Sequence, residues 1–592
     1  MNKLTIDRIK ILMLLPVVAL LAASCKKMFD VKPEQVVDQT QMYRNVNDAD
    51  AAILGLYGKL MNLAKQHVVL NELRADLMDV TDNANDALKQ VTLNNVASNN
   101  TYADPRAYYQ VILNCNDVIK NFQIMVANKK FTRDEFNQRY GDVVALRSWV
   151  YLQAGIQYGT VPYVTSALET IDDVKDESKF PRLSLDKLID TLIKVTDSIP
   201  YKDVYVTGSS LVTTIDGYNT GKFFINKKCL LGDLYLWRSA FTKSDIDARL
   251  AAGYYKQVME TGGNGDYDTY RIKWSEVTTN NDIAVGYWND GRVNQYSENM
   301  LVDDNDYGWR SIFARGQDAL YNTEWIWMLY FNASFSPENP FIDLFSNRGG
   351  SYLVKPSQAA IDGWDAQVQS DNNFPYDARK RLTYKTLDGQ PVIMKYLYNY
   401  VDETTYLPTS LLNKPGKWFL YRAAQLHLHY AEAANRDGRH KIAYALVNNG
   451  LSYNFDNSPG AGTKRDVTNT QQTFDPETAY QFDARYGDNP TFRAPWHRNV
   501  GIRGRAHLKA LPVNGADSTT LIENMIVDES GLELAYEGSR WADLLRIAIR
   551  RNEPAFVADK VYNKLVKDGN GSAAATRARL LAKDWFLPFK WE

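Results

Sequence analysis

The chain has 592 residues, a formal net charge of −2 and 45% hydrophobic residues. That length allows roughly four domains of about 150 residues, or one architecture of stacked units around a sizeable core. The near-neutral balance excludes the basic excess that nucleic-acid binding requires.

Lys3, Arg8 and Lys10 form a basic start, and Ile11 to Ser24 is an apolar run of fourteen residues. A spanning helix needs about 20, so the run reads as the core of a signal peptide. Ala22-Ala23-Ser24 places small residues before Cys25. This resembles a bacterial lipobox, with Ala22 where Leu is usual, in which 1–24 is cleaved and Cys25 becomes the lipidated N-terminus. An ordinary secretory signal cut nearby is the alternative. Several acyl chains anchor stably where one does not. No other apolar run offers a membrane hold. Lys26, rather than Asp, follows the cysteine, which favours sorting to the outer membrane.

Residues 26–46 are polar and include Pro33, and read as a tether. Helical periodicity starts near Asn47, with Ala52, Leu56 and Leu60 on one face and Asn47 or Asp48 as cap. Residues 71–104 are rich in Asn and Asp and read as a long loop. Helices are predicted at 105–128, 133–158, 184–198, 222–241 and 244–261, with Gly159 and Pro162 ending the second. Residues 263–415 are aromatic and Asn/Asp/Gly-rich, with short helical stretches only. Helical patterns return at 418–437, 439–450, 519–550 and 554–567. The chain thus divides into a leader (1–24), a lipidated tether (25–46), an N-terminal helical region (47–262), an irregular, ligand-facing insertion (263–415) and a C-terminal helical region (416–592). The fold class is mostly α, with tetratricopeptide-like helix pairs as scaffold, although no crisp repeat of about 34 residues is visible.

Motifs for catalysis are missing. Among six histidines there is no HExxH. His427 and His429 lie two apart on a predicted helix and diverge; an interhelical hydrogen bond is the expectation for His429, which shares a face with Glu432. There is no GxSxG, and "SPGAGTKRD" forms no G-K-[ST]. A glycosidase pair stays open, since it is a matter of distance. Cys115 and Cys229 read as buried thiols, with a disulfide as the other option.

The most distinctive stretch is "VDESGLELAYEGSRWADLLR", residues 527–546. Glu529, Glu533 and Glu537 recur at four-residue spacing and repel one another unless cations face them. Arg540 lies three after Glu537 and Arg546 three after Asp543, so a charged structural network of these six residues is expected, with a helix break near Gly538.

This stretch resembles the C-terminal pattern of the SusD/RagB family, surface lipoproteins of nutrient uptake in Bacteroidetes, with Ser530 for the usual Arg and Tyr536 for Phe. "CKKMFDVKPEQ" is similar to the family's mature start. "NDADAAILGLY", "CNDVI", "ALRSWVYLQAGIQYGTVPYV", "DARKRLTY" (Ala378 for Pro), "YRAAQLHLHYAEAANRDG" and "FLPFKWE" resemble its further segments in order. The resemblance implies an outer-membrane lipoprotein, facing the cell exterior, that binds a nutrient ligand, a glycan or a peptide, and delivers it to a SusC-like TonB-dependent outer-membrane barrel. It implies no enzyme activity and no cofactor. A surface glycoside hydrolase and a RagB-like peptide-uptake protein are the alternatives, and a helical scaffold without a small ligand is a third.

Aromatic rings with Asn, Asp and Arg suit sugars, and two stretches offer them. One holds Asp79, Asp82, Asn83 and Tyr102; the other holds Trp274, Tyr287, Trp288, Asn289, Arg292, Tyr307 and Trp309. At least one of Trp288 and Trp309 is expected to line the site.

Overall fold

The computed structural model describes residues 42–206, 208–260, 285, 301–316, 324–332, 336–370, 373, 377–451, 477–481, 501–515 and 517–588. Among these the fold is mostly α-helical, as expected, and every sheet is two-stranded.

Helix α1 (Val46–Met61) buries Ile53, Leu56, Tyr57 and Leu60 on one stripe. Its cap is Asn45, whose side chain accepts from the amides of Asn47 and Asp48, the two residues expected to do the capping. The stretch 71–104, expected as a loop, is built. It contains the end of a π-helical turn (Val69–Leu73), strand β1 (Met78–Val80), helix α2 (Asp86–Thr92) and a 3-10 turn (Thr101–Ala103). The abundant Asn misled because it caps rather than loops. Asn85 accepts from Leu88 N, and Asn100 from Tyr102 N.

Helices α3 (Arg106–Ala127) and α4 (Arg133–Tyr158) pack side by side. Thr132 and Glu135 form a reciprocal capping box at the start of α4. Gly159, at φ 72°, ends it in a conformation that L side chains avoid. Residues 141–158 are buried all round, which makes α4 the central helix. Helices α5 (Leu185–Asp197), α6 (Lys227–Thr242) and α7 (Asp245–Met259) continue the stack, each on its predecessor, with α5 on α4.

The described part of 263–415 contributes Trp309, Trp325, Trp327 and Phe341 to the core. Strand β2 (Trp325–Phe331) pairs antiparallel with a later strand, Gly416–Arg422, and β3 (Val354–Pro356) pairs with β1. Trp327 meets Trp149 of α4 edge-on at 5.1 Å. Strand β4 (Gly416–Arg422) is buried at every residue. Its "WFLYR" run, residues 418–422, was expected as the start of a helix. A short apolar run reads either way, and its bulky aromatics favour the strand.

A one-turn helix α8 (Arg379–Thr383) precedes β4. Helix α9 (Ala423–Arg436) starts directly after it, where helix formers begin, and α10 (His440–Val447) folds back on α9. Helices α11 (Ile502–Arg505), α12 (Ser518–Glu533), α13 (Arg540–Arg551), α14 (Ala555–Lys567) and α15 (Ala573–Leu581) complete the described fold. Helix α13 packs on α6, and α9 on α7, so the C-terminal helices close over the N-terminal stack. Cys115 and Cys229 are free and buried, and burial pushes the Cys115 thiol up to about 12. No helix among the described residues is long and apolar enough to cross a membrane.

Candidate functional site

The expected carboxylate row lies at the end of α12 and just beyond it, with all three side chains buried. The cations facing it come from four other segments. Arg379 of α8 donates to Glu529 at 2.7 Å and to Glu533 at 2.9 Å. Arg503 donates to Glu529 at 2.9 Å. Arg422, at the end of β4, reaches Glu533 at 2.8 Å, Glu537 at 2.7 Å and Glu324 at 2.6 Å. Lys395 reaches Glu537 at 2.7 Å, and Arg505 bonds both Glu533 and Glu324. Burial alone raises a carboxyl pKa. Here Arg505, Arg422 and Arg379 hold Glu533 well below the usual carboxylate range. A carboxylate held there stays ionised and does not trade protons near neutrality. The chemistry of this cluster is cohesion between segments far apart in sequence.

Of the two cations expected from this stretch, one faces elsewhere. Arg540 does not pair with Glu537; it grips Asp76 at 2.7 and 2.8 Å. Arg546 bonds Asp543 at 2.8 Å, as its spacing allows, and also Glu432 at 2.6 and 3.0 Å. Ser530, in the usual Arg position, donates to Asp543 at 3.3 Å. Beside them Glu72, in the π-helical turn, accepts the backbone amides of Tyr536, Gly538 and Ser539 at 3.1, 2.7 and 3.1 Å. Burial pushes the Glu72 carboxyl up to about 7 against those bonds.

His429 makes the expected interhelical bond, from Nδ1 to Asp233 of α6 at 2.8 Å. Burial works against its charge, but Asp233, with help from Asp543, lifts its pKa to about 9. Tyr255 and Tyr421 donate to the same Asp233 oxygen. Glu432 turns instead to Arg436 and Arg546. A cavity of about 50 Å³ opens here between Trp149, Gln153, Trp237, Gln425, His429 and Ser539. It has room for a few waters and none for a sugar ring. Among the described residues no group of three or more His, Cys, Asp or Glu side chains is placed to hold a metal ion.

The expected ligand-facing residues scatter. Trp274, Tyr287, Trp288, Asn289 and Arg292 lie outside the described residues. Trp309 does not line an open site. It is 0% exposed, donates its indole N–H to Glu533 at 3.1 Å and packs on Phe313 at 5.1 Å. Tyr307 is half-buried in the turn that leads to it. Asp79 is buried on β1 and accepts the Thr92 hydroxyl at 2.8 Å. Asp82 and Asn83 are exposed, and Asn83 bonds Ser351 O at 3.1 Å. Ser351 contacts Asp343, which pairs with Lys65, whose ammonium lies 5.9 Å from the ring of half-buried Tyr102. Asn83 and Tyr102 are therefore linked along one surface, and Asp79 and Trp309 are structural. Glu72, Glu324, Lys395 and Arg505 carry no local sequence signal, whereas Arg379 and Arg422 lie in the segments "DARKRLTY" and "YRAAQLHLHYAEAANRDG".

Residues 498–579 match the model of the SusD family. A comparison with curated proteins found no match. Solved structures share the fold at low identity. A SusD-like carbohydrate binding protein from Bacteroides fragilis aligns with TM-score 0.53 and 15% identity over 86% of this chain and 88% of its own. A laminarin binding SusD-like protein aligns with TM-score 0.54 and 14% identity over 92% and 99%. A SusD homolog from Bacteroides thetaiotaomicron gives 0.53 and 16% over 92% and 95%. The matched segment contains the buried row Glu529, Glu533 and Glu537 with Arg540, Asp543 and Arg546: residues 498–579 match the SusD family, and the described residues have the fold of these SusD-like structures.

Proposed function

We propose that this protein is a lipid-anchored outer-membrane protein that binds a saccharide outside the cell and delivers it to a SusC-like TonB-dependent barrel. The observation that carries the reading is the SusD-family segment set in a fold shared with carbohydrate- and laminarin-binding proteins. Cys25, after the short apolar leader, is the anchoring residue in this account, and 26–46 is the tether. Binding then needs no cofactor and no covalent step. Trp288, with Trp274, Tyr287, Asn289, Arg292 and Tyr307, supplies one set of ligand contacts; Asp82, Asn83 and Tyr102 supply a second surface.

The test is made on the full chain in its own cell envelope. The wild type is expected in the outer-membrane fraction, accessible to added protease, with a TonB-dependent barrel co-purifying. Cys25→Ala is expected to release the chain from that fraction. Retention of Cys25→Ala in the membrane, or a clean purification without any barrel, would contradict the anchoring and delivery parts respectively.

A further inference from the structure

A groove of about 470 Å³ lies where the C-terminus of α3, the N-terminus of α4 and the segment after α5 meet. That volume falls in the range of small-molecule sites, about 300–1,000 Å³. Its centre is an aromatic pair one helical turn apart on α4. The rings of Phe136 and Tyr140 stack with centroids 5.1 Å apart and planes 19° apart. Phe136 is buried and Tyr140 half-buried. Arg133 holds its guanidinium 5.3 Å from the Phe136 centroid. Gln123 reaches the groove from α3, Asn137 from α4, and Ser198 and Pro200 close the far wall. Among the described residues, the side-chain amides of Gln123 and Asn137 make no hydrogen bond to the chain.

We propose that this groove is a saccharide-binding site, with Tyr140 as the ring platform and Gln123, Asn137 and Arg133 as hydroxyl partners. The inference rests on the saccharide reading above and adds to it a site that none of the expected loops contains. An aromatic face takes the apolar C–H side of a pyranose. Each amide offers both a donor and an acceptor, which matches the two-way hydrogen bonding of a hydroxyl, and the guanidinium adds further donors. No carboxylate lines the groove, so a cationic ligand has no counter-charge; one arginine is too little for a polyphosphate. The main walls are helices, so no strand edge is offered to an extended peptide.

The experiment is calorimetric titration of the chain from Lys26 onward with oligosaccharides and peptides, repeated for Tyr140→Ala, Asn137→Ala and Trp288→Ala. Thermal melting checks that each variant folds. Saccharide affinity is expected to fall about tenfold in Tyr140→Ala, the loss of about 1.4 kcal/mol, and measurably in Asn137→Ala, whose smaller change guards against a folding defect. Saccharide binding that is unchanged in both groove variants would overturn this site and leave the saccharide reading intact. Peptide binding that Tyr140→Ala abolishes would overturn the ligand class. No saccharide binding by the wild type would overturn both the site and the reading on which it rests.

Discussion

The indole N–H of Trp309 donates to Glu533 across 3.1 Å, and neither side chain reaches solvent. This bond ties the aromatic middle region to the C-terminal carboxylate row. Trp309→Phe keeps most of the buried area and removes the donor. It is expected to lower stability by about 1–2 kcal/mol while leaving ligand affinity unchanged. Urea unfolding beside a ligand titration measures both. Lost affinity with full stability would return Trp309 to the binding site.

Glu533 is shared by Arg379, Arg422 and Arg505. Glu533→Gln leaves three buried guanidiniums short of one counter-charge. Breaking a buried pair from one side typically destabilises by about 3–5 kcal/mol. The expected outcome is a large drop in the urea midpoint with little change in slope. A change under about 1 kcal/mol would show that the network is not what holds these segments together.

Glu72 and Gly538 form a second lock between distant parts of the chain, since Gly538 N donates to Glu72 at 2.7 Å. Gly538 sits at φ 93°, and an added Cβ would come within 2.8 Å of the His67 ring. Gly538→Ala is expected to destabilise by more than about 1 kcal/mol. Glu72→Gln turns one acceptor oxygen into a donor facing backbone N–H groups, and is expected to lose about 1–3 kcal/mol. Thermal melts of both variants decide; wild-type stability in either removes that half of the lock.

His429 gives a pH dependence with a definite sign. Its pKa is raised to about 9 in the fold, above the ordinary 6.5. Its charge therefore contributes stability that is fully present below about pH 6.5 and lost as pH rises through 9, on the order of 3 kcal/mol. His429→Gln should be less stable than wild type at pH 6, and the gap should narrow by pH 9.5. A gap that is constant or widens with pH would refute the charged His429–Asp233 pair.

The legible parts of this fold were those whose signals are local. The helical pattern of 133–158, ended by Gly159 and Pro162, marks α4 in the sequence. Strand β4 was not legible, because a run as short as Trp418 to Tyr421 has too few residues for its period to separate a buried strand from a buried helix, and its aromatic bias is only a weak preference. The carboxylate row announced that cations must face it. It could not say which, because Arg379 is 154 residues from Glu533 in sequence and 2.9 Å from it in space. The nearby Arg540 and Arg546 were the natural guess: Arg540 serves Asp76 instead, while Arg546 pairs with Asp543 and adds Glu432. Trp309 shows the limit for site residues: a tryptophan in an Asn/Asp/Gly-rich stretch looks the same whether its ring faces ligand or core.

The central claim is that this chain binds a saccharide without altering it. Calorimetry with the chain from Lys26 onward, against polysaccharides, oligosaccharides and peptides, tests it most directly, with each mixture examined afterwards for products. The account predicts saturable binding of at least one saccharide and its recovery intact. Binding of peptides alone, or turnover of the bound saccharide, would contradict it.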